Sequence, residues 1–260
     1  MSVNITAAVV IYNKSCSDSL TFNCVEKARK PENFKLLVLD NSTSDQKNES
    51  LCAENGSVYI SMNGNSGLSK AYNRALREIK KSGGCDIVVW LDDDTEIPAD
   101  YFERLSECAE KHPEADIFMP LVASGEDIIS PSVVSGARVL RIKDLSELDG
   151  KEVTAINSGL SVRMSVYDDY RYDEALFLDL VDHKFNRDCN ARGLKRVVVE
   201  GQPLRQTFFG DTNRSKKAAL AREKIFAADF KTYGKMTGKS PLVTWAQLLR
   251  RRIKINRTCK

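Results

Sequence analysis

The chain has 260 residues, of which 42% are hydrophobic and 29% charged; this suits one large α/β domain or two small ones and excludes a disordered or fibrous protein. No stretch reaches the roughly 18 consecutive apolar residues of a membrane span, and the opening MSVNITAAVVIY has neither a basic leader nor a small-residue cleavage site, so a cytoplasmic protein is expected. The net charge of +3 hides a division: residues 211–260 hold fourteen Lys or Arg against three Asp or Glu, a surplus of +11, which leaves −8 on residues 1–210.

Residues 5–12, ITAAVVIY, form an apolar, β-branched run that stops at Asn13, and predict a buried first strand followed by a loop. A helical segment with Leu20, Cys24 and Ala28 on one face leads through Pro31 to a second strand over 35–39, which ends in Asp40-Asn41-Ser42. Strands alternating with helices, each strand ending in polar residues, imply a mostly parallel, doubly wound sheet with ligands beyond the strands' carboxyl ends, and Asp40 falls at that edge. A third strand over 57–61 precedes MNGNSGLSKAYNRAL. Gly64 and Gly67 permit a tight loop there, and Ala71, Ala75, Leu76 and Ile79 give the next helix an apolar face. A glycine-rich loop opening a helix can bind phosphate through its free amides, but this spacing matches no established phosphate-loop pattern, and a plain turn accounts for it equally.

Residues 86–98, DIVVWLDDDTEIP, contain a buried strand that ends in Asp92, Asp93 and Asp94. Three adjacent acids repel one another and lose solvation, so a cation, basic side chains or water must compensate them. An oxygen-rich set of this kind selects Mg²⁺ or Mn²⁺ carrying substrate phosphates, whereas a solvated acidic loop before the helix from about 98 to 111 is the plainer alternative. Further on, 117–122 predict a strand, 133–142 a β-rich connection, and 152–164 two strand pieces around Asn157-Ser158-Gly159, where small residues allow a ligand close to the backbone. Leu176, Leu180, Val181, Phe185 and Cys189 fall on one helical stripe, which would put Asp179 and Asp182 on a shared helix face. A last strand covers 195–199, and a basic helical segment follows. The seven cysteines show no C-x-x-C pairing and read as reduced structural thiols.

Taken in order, I-Y-N after the first strand, D-N-S after the second, the Asn65 to Asn73 stretch, L-D-D-D, N-S-G and F-L-D-L-V-D resemble glycosyltransferase family 2, inverting enzymes of the GT-A fold, and within it bacterial rhamnosyl- and galactofuranosyltransferases of surface-polysaccharide synthesis. The resemblance spans about residues 5–210. It implies a Rossmann-like GT-A catalytic domain over 1–210, with the nucleotide-sugar part at about 1–98 and the acceptor part at 99–210, followed by a basic helical extension over 211–260. It also implies a UDP- or dTDP-linked donor, a glycan or lipid-linked glycan acceptor, and Mn²⁺ or Mg²⁺ held by Asp94 and Asp92. Tyr12, Asn13 and Asp40 would line the nucleotide pocket, with Asn65, Gly67, Lys70, Asn73, Asp92 and Asp93 as further donor contacts. Asp182 matches the acceptor-side general base, and Asp179 is the runner-up.

Two departures accompany it: Gln206 stands where relatives commonly carry a metal-ligating histidine, and Lys184 where they often carry an acid. A metal-dependent phospho- or nucleotidyltransferase would use the same acids, and a non-catalytic nucleotide-sugar-binding protein would tolerate loss of Asp182. The tail lacks the aromatic interleaving of single-strand platforms, so no nucleic-acid partner is expected. Its segment from Trp245 to Arg257 predicts an amphipathic helix suited to an anionic membrane surface, or one whose apolar side packs on the catalytic domain.

Overall fold

The computed structural model describes residues 3–136, 138–206 and 216–258. In chain order the strands are β1 (Ile5–Ile11), β2 (Phe34–Asp40), β3 (Val58–Ser61), β4 (Ile87–Asp92), β5 (Thr95–Glu96), β6 (Ile117–Ser124), β7 (Asp127–Ser130), β8 (Ser132–Ser135), β9 (Arg138–Arg141), β10 (Val153–Thr154), β11 (Ser161–Arg163) and β12 (Arg196–Gln206). The α-helices are α1 (Leu20–Lys27), α2 (Asn48–Glu54), α3 (Leu68–Ser82), α4 (Tyr101–Lys111), α5 (Val181–Ala191), α6 (Lys216–Met236) and α7 (Pro241–Thr258).

Nine strands form one sheet in the order β3-β2-β1-β4-β11-β6-β12-β5, with β7 on the edge of β6. The first four run parallel, as their alternation with helices requires, and β11 then enters antiparallel to both β4 and β6. A mostly parallel, helix-flanked α/β sheet is the expected GT-A architecture. The reversal at β11 is not announced by its three residues, because strand direction is set by the connections on either side. Strands β8, β9 and β10 form a separate small antiparallel sheet within the region expected only to be β-rich.

Both faces of the large sheet are covered. On β4, Ile87, Val89 and Leu91 enter one core while Val88 and Trp90 enter the other, and all five are fully buried. Each such side chain stabilises by roughly 1.5–3 kcal/mol, so this strand can hold three repelling carboxylates at its end. The first core packs against α1 and α4 and the second against α3 and α5. The α1 face differs from expectation: Thr21, Phe22 and Val25 are buried, whereas Leu20 is exposed, because Ser19 caps the helix and turns Leu20 outward.

Helices α6 and α7 form an antiparallel hairpin, in which Arg251 pairs with Glu223 at 2.5 Å and lies 3.9 Å over the Phe226 ring. Tyr233 and Met236 of α6 pack on the second core, so part of the basic tail belongs to the body of the protein. The boundary expected near residue 210, and Cys259, lie outside the described residues. Among the described residues no helix is long and apolar enough to cross a membrane.

Candidate functional site

The parallel register sets Ile11 beside Asp40 and Val10 beside Asp92, so the ends of β1, β2 and β4 open onto one edge. With strands about 4.8 Å apart, Asp40 and Asp92 lie roughly 10 Å from each other across β1. Tyr12 is half exposed at this edge. Asn13, at a φ of 48°, accepts from the Thr43 amide at 2.8 Å, while its own amide donates to Ser42 Oγ at 2.8 Å. Asp40 is buried and turned into the protein: it accepts from the Ser42 amide at 2.9 Å and from Asn48 Nδ2 at 2.8 Å. Asn48 stands on α2, an element the sequence reading did not identify.

The three acids have separate environments. Asp93 is paired with Lys14 at 3.0 Å, and burial nevertheless pushes its carboxyl up. Asp92 accepts from Ser158 Oγ at 2.6 Å, and Gln206 Nε2 donates to exposed Asp94 at 2.7 Å and lies 3.3 Å from Asp92. Burial is the main force pushing the Asp92 carboxyl up to about 6, with the charges of Asp94 and Asp182 adding to it and the bonds from Ser158 and Gln206 opposing it. Among the described residues no group of three His, Cys, Asp or Glu is arranged around a metal. The carboxylates of Asp92 and Asp94 are oxygen ligands that fit a hard cation completing its shell with water and diphosphate, whereas Gln206 turns its amide nitrogen to them and its Oε1 accepts from Ser158 at 2.7 Å.

A stability prediction follows from Asp92. In the unfolded chain it ionises near its ordinary 3.8, and in the folded protein near 6. The folded state therefore holds the extra proton between these values, and stability falls as pH rises through that window. Asp92→Asn should flatten that fall and make the metal-free protein more stable at pH 7, by on the order of 3 kcal/mol. Urea midpoints at pH 4 and pH 7 test this, and an undiminished fall in the variant would remove Asp92 as its source.

Ser158 reaches Asp92 because Gly159, at a φ of 86°, follows it; a Cβ there would meet Leu204 at 2.5 Å and Pro120 at 2.9 Å. Its amide donates to the Trp90 carbonyl at 2.7 Å and its carbonyl accepts from Tyr101 at 2.6 Å. Protein, rather than ligand, makes the close approach at this N-S-G turn.

The loop before α3 departs from the phosphate-loop reading in the same way. Gly67, at a φ of 88°, leaves no room for a Cβ, which would sit 2.7 Å from the Phe177 ring and carbonyl. The Leu68 amide is already taken by that carbonyl at 2.6 Å, and Asn65 accepts from the Gly67 amide at 3.3 Å. Asn73 is buried, with its amide committed to Tyr172 and Glu174 at 2.9–3.0 Å, so it is not brought to the cleft. Lys70 is exposed on the first turn of α3.

The segment holding Asp179 and Asp182 also corrects the sequence reading. Helix α5 begins at Val181, after Leu180 in a left-handed conformation with a φ of 63°, so Asp179 and Asp182 do not share a helix face. The segment before it is held open by Asp229 of α6, which accepts from the amides of Phe177, Leu178 and Asp179, each at 2.8 Å. Arg222, also on α6, grips the Asp179 carboxylate with both guanidinium nitrogens. Asp182 has no such cation among the described residues: in the first turn of α5 it accepts from the His183 amide at 2.7 Å, and its charge is felt at Asp92. His183 points to Thr154 at 3.4 Å, and Lys184 pairs with Asp188 at 2.6 Å. Ser158, Arg222 and Asp229 were not singled out from sequence. The first lay within the noted N-S-G signal, but the other two are ordinary charges on a basic helix.

The model of glycosyl transferase family 2 matches residues 6–171. The chain is similar to dTDP-rhamnosyl transferase RfbF of Shigella flexneri, with 25% identity over 204 residues that cover 76% of this chain and 67% of that protein. Among solved structures it resembles S. aureus TarS residues 1–349, at 16% identity and a TM-score of 0.58, covering 97% of this chain and 81% of that one. The same TarS fragment bound to UDP gives 17% identity and a TM-score of 0.58 over 88% of this chain and 65% of that one. The longer TarS chain gives 16% identity and a TM-score of 0.57, over 88% of this chain, and only 40% of its length is covered. At these identities the TarS likenesses concern the fold.

Proposed function

The chain belongs to glycosyl transferase family 2, and from that premise we propose that it is an inverting, metal-dependent transferase that moves a sugar from a UDP- or dTDP-linked donor to a glycan or lipid-linked glycan in cell-surface polysaccharide synthesis. Rhamnose is favoured over galactofuranose by the likeness to a dTDP-rhamnosyl transferase. The observation that supports the reading is the gathering of Asp92 and Asp94 at the carboxyl edge of β4, where the charge of Asp182 on α5 reaches Asp92.

Tyr12, Asn13 and the Asp40 turn hold the nucleotide, and Asp93 and Lys14 border the donor. Asp94 and Asp92 would hold Mn²⁺ or Mg²⁺, which would supply the positive charge that offsets the leaving diphosphate. Asp182 accepts the proton of the acceptor hydroxyl, whose oxygen bonds to the anomeric carbon on the face opposite the breaking bond to the diphosphate. A thermal-shift screen of UDP and dTDP, with and without Mn²⁺, tests the donor assignment. Stabilisation of about 2.7 kcal/mol is expected at a hundredfold excess over Kd for the correct nucleotide with metal. No shift with either nucleotide would remove the donor site.

The same reading places the enzyme at the inner face of the membrane, through α7. Its side toward α6 carries Thr244, Leu248 and Ile255, and its outward stripe is Leu242, Trp245, Leu249 and Ile253, with Trp245 63% exposed. Arg250, Arg252, Lys254 and Arg257 flank that stripe, and each basic residue near an anionic leaflet contributes about 1 kcal/mol. The expected result is salt-sensitive co-sedimentation with anionic but not neutral vesicles, lost on deletion of residues 242–260. Equal pelleting with both lipids would leave the stripe as a protein contact.

A further inference from the structure

A groove of about 1060 Å³ runs along α5, between the small sheet and the end of α6. It starts at Leu180 and His183, on either side of Asp182, and continues past Asn190 to Gly193. The eleven residues of α5 span about 16 Å, so anything bound along the groove lies within that distance of the acceptor-side acid.

The lining is strongly basic. Arg138, Lys151, Arg187, Arg196 and Lys239 face the groove, and Glu152 is the one acid in it. None of these five cations forms an ion pair with a carboxylate among the described residues, although twelve ion pairs occur elsewhere. Arg196 is the sharpest case: it is half-buried, donates to the Asn186 carbonyl at 3.1 Å, and its Nε is buried without a partner. Burial lowers its pKa from the ordinary value, and the nearby charge of Glu152 offsets this only in part. Arg187 is exposed along the groove, beside Tyr233 in its wall.

We propose that this groove binds an anionic portion of the acceptor, a phosphate diester or diphosphate carried by the glycan whose hydroxyl is presented to Asp182. The assignment rests on the transferase reading above. A surplus of cations suits a multiply charged group better than a lone carboxylate, and arginine forks match phosphate oxygens in pairs. The donor's own diphosphate has its place at the β4 acids, across the cleft, so the two anionic groups occupy different sites.

Calorimetric titrations in EDTA, which silences metal-bridged binding, compare three probes: a short-alkyl diphosphate-linked glycan, the same glycan as an uncharged alkyl glycoside, and inorganic diphosphate. The wild type is expected to bind the first with a steep salt dependence and the second far more weakly. The variant R138Q/K151Q/R187Q changes three exposed side chains and keeps the half-buried Arg196. It should bind the diphosphate-linked glycan about thirtyfold less tightly, roughly threefold per exposed charge, while Asp94→Asn should bind it as the wild type does. Unchanged affinity in the triple variant, or equal binding of the uncharged glycoside, would overturn the proposal. Binding of inorganic diphosphate alone would reduce the groove to an inorganic anion site and overturn it too. Titration of UDP and dTDP with Mn²⁺ separates the two readings: binding of neither nucleotide with intact groove binding removes the transferase reading only, and binding of either nucleotide with no effect of the triple variant removes this inference only.

Discussion

Asp182→Asn is expected to lower sugar transfer by about 10²–10⁴-fold while nucleotide affinity in the presence of Mn²⁺ stays at the wild-type value. An amide cannot take the hydroxyl proton, yet it can still accept from the His183 amide that Asp182 now caps at 2.7 Å, so the helix start should survive. Asp179→Asn forms the contrast. Its carboxylate is held by Arg222 from two sides, which makes it a poor proton acceptor and a good anchor for the loop. That variant should leave part of the activity and raise the acceptor KM, because the loop between Asp229 and α5 loosens. Initial rates and nucleotide titrations on both variants decide the matter, and an inactive Asp179→Asn beside an active Asp182→Asn would exchange the two roles.

Asp94→Asn is expected to abolish metal-dependent donor binding, weakening UDP or dTDP by about 100-fold with Mn²⁺ and hardly at all without it. The variant removes a negative charge from the most exposed of the three acids, where a cation would bridge protein and diphosphate. Gln206 donates to Asp94 at 2.7 Å, and an asparagine oxygen can take over that bond, so folding should not suffer. The measurement is a titration of nucleotide at fixed Mn²⁺. Wild-type affinity in the variant would take Asp94 out of the metal site and point to Asp92 with Gln206 in its place.

Much of the donor half was legible in the residues themselves. The alternation of Ile87 to Leu91 into both cores, and the polar stops at Asn13, Asp40 and Asp92, are local patterns, since a strand buried on both faces must be apolar and must shed that character where it meets the ligand edge. The basic, helical character of the tail was equally plain in its composition. Tertiary structure alone decided what those helices do. Asp229 and Arg222 look like any charges on a basic helix until α6 is laid against a segment some 43 to 52 residues earlier in the chain. There they bind residues 177–179, directly before Leu180, whose left-handed conformation starts α5 late and separates Asp179 from Asp182. Tertiary packing likewise gave Asn73 and Gly67, expected as donor contacts, to the 172–177 segment, brought Ser158 and Gln206 to the acids, and turned Leu242 and Trp245 outward while Thr244 went in. Periodicity reports how a residue relates to its near neighbours. Which of two acids keeps a free carboxylate is set by partners distant in sequence, which leave no periodic trace.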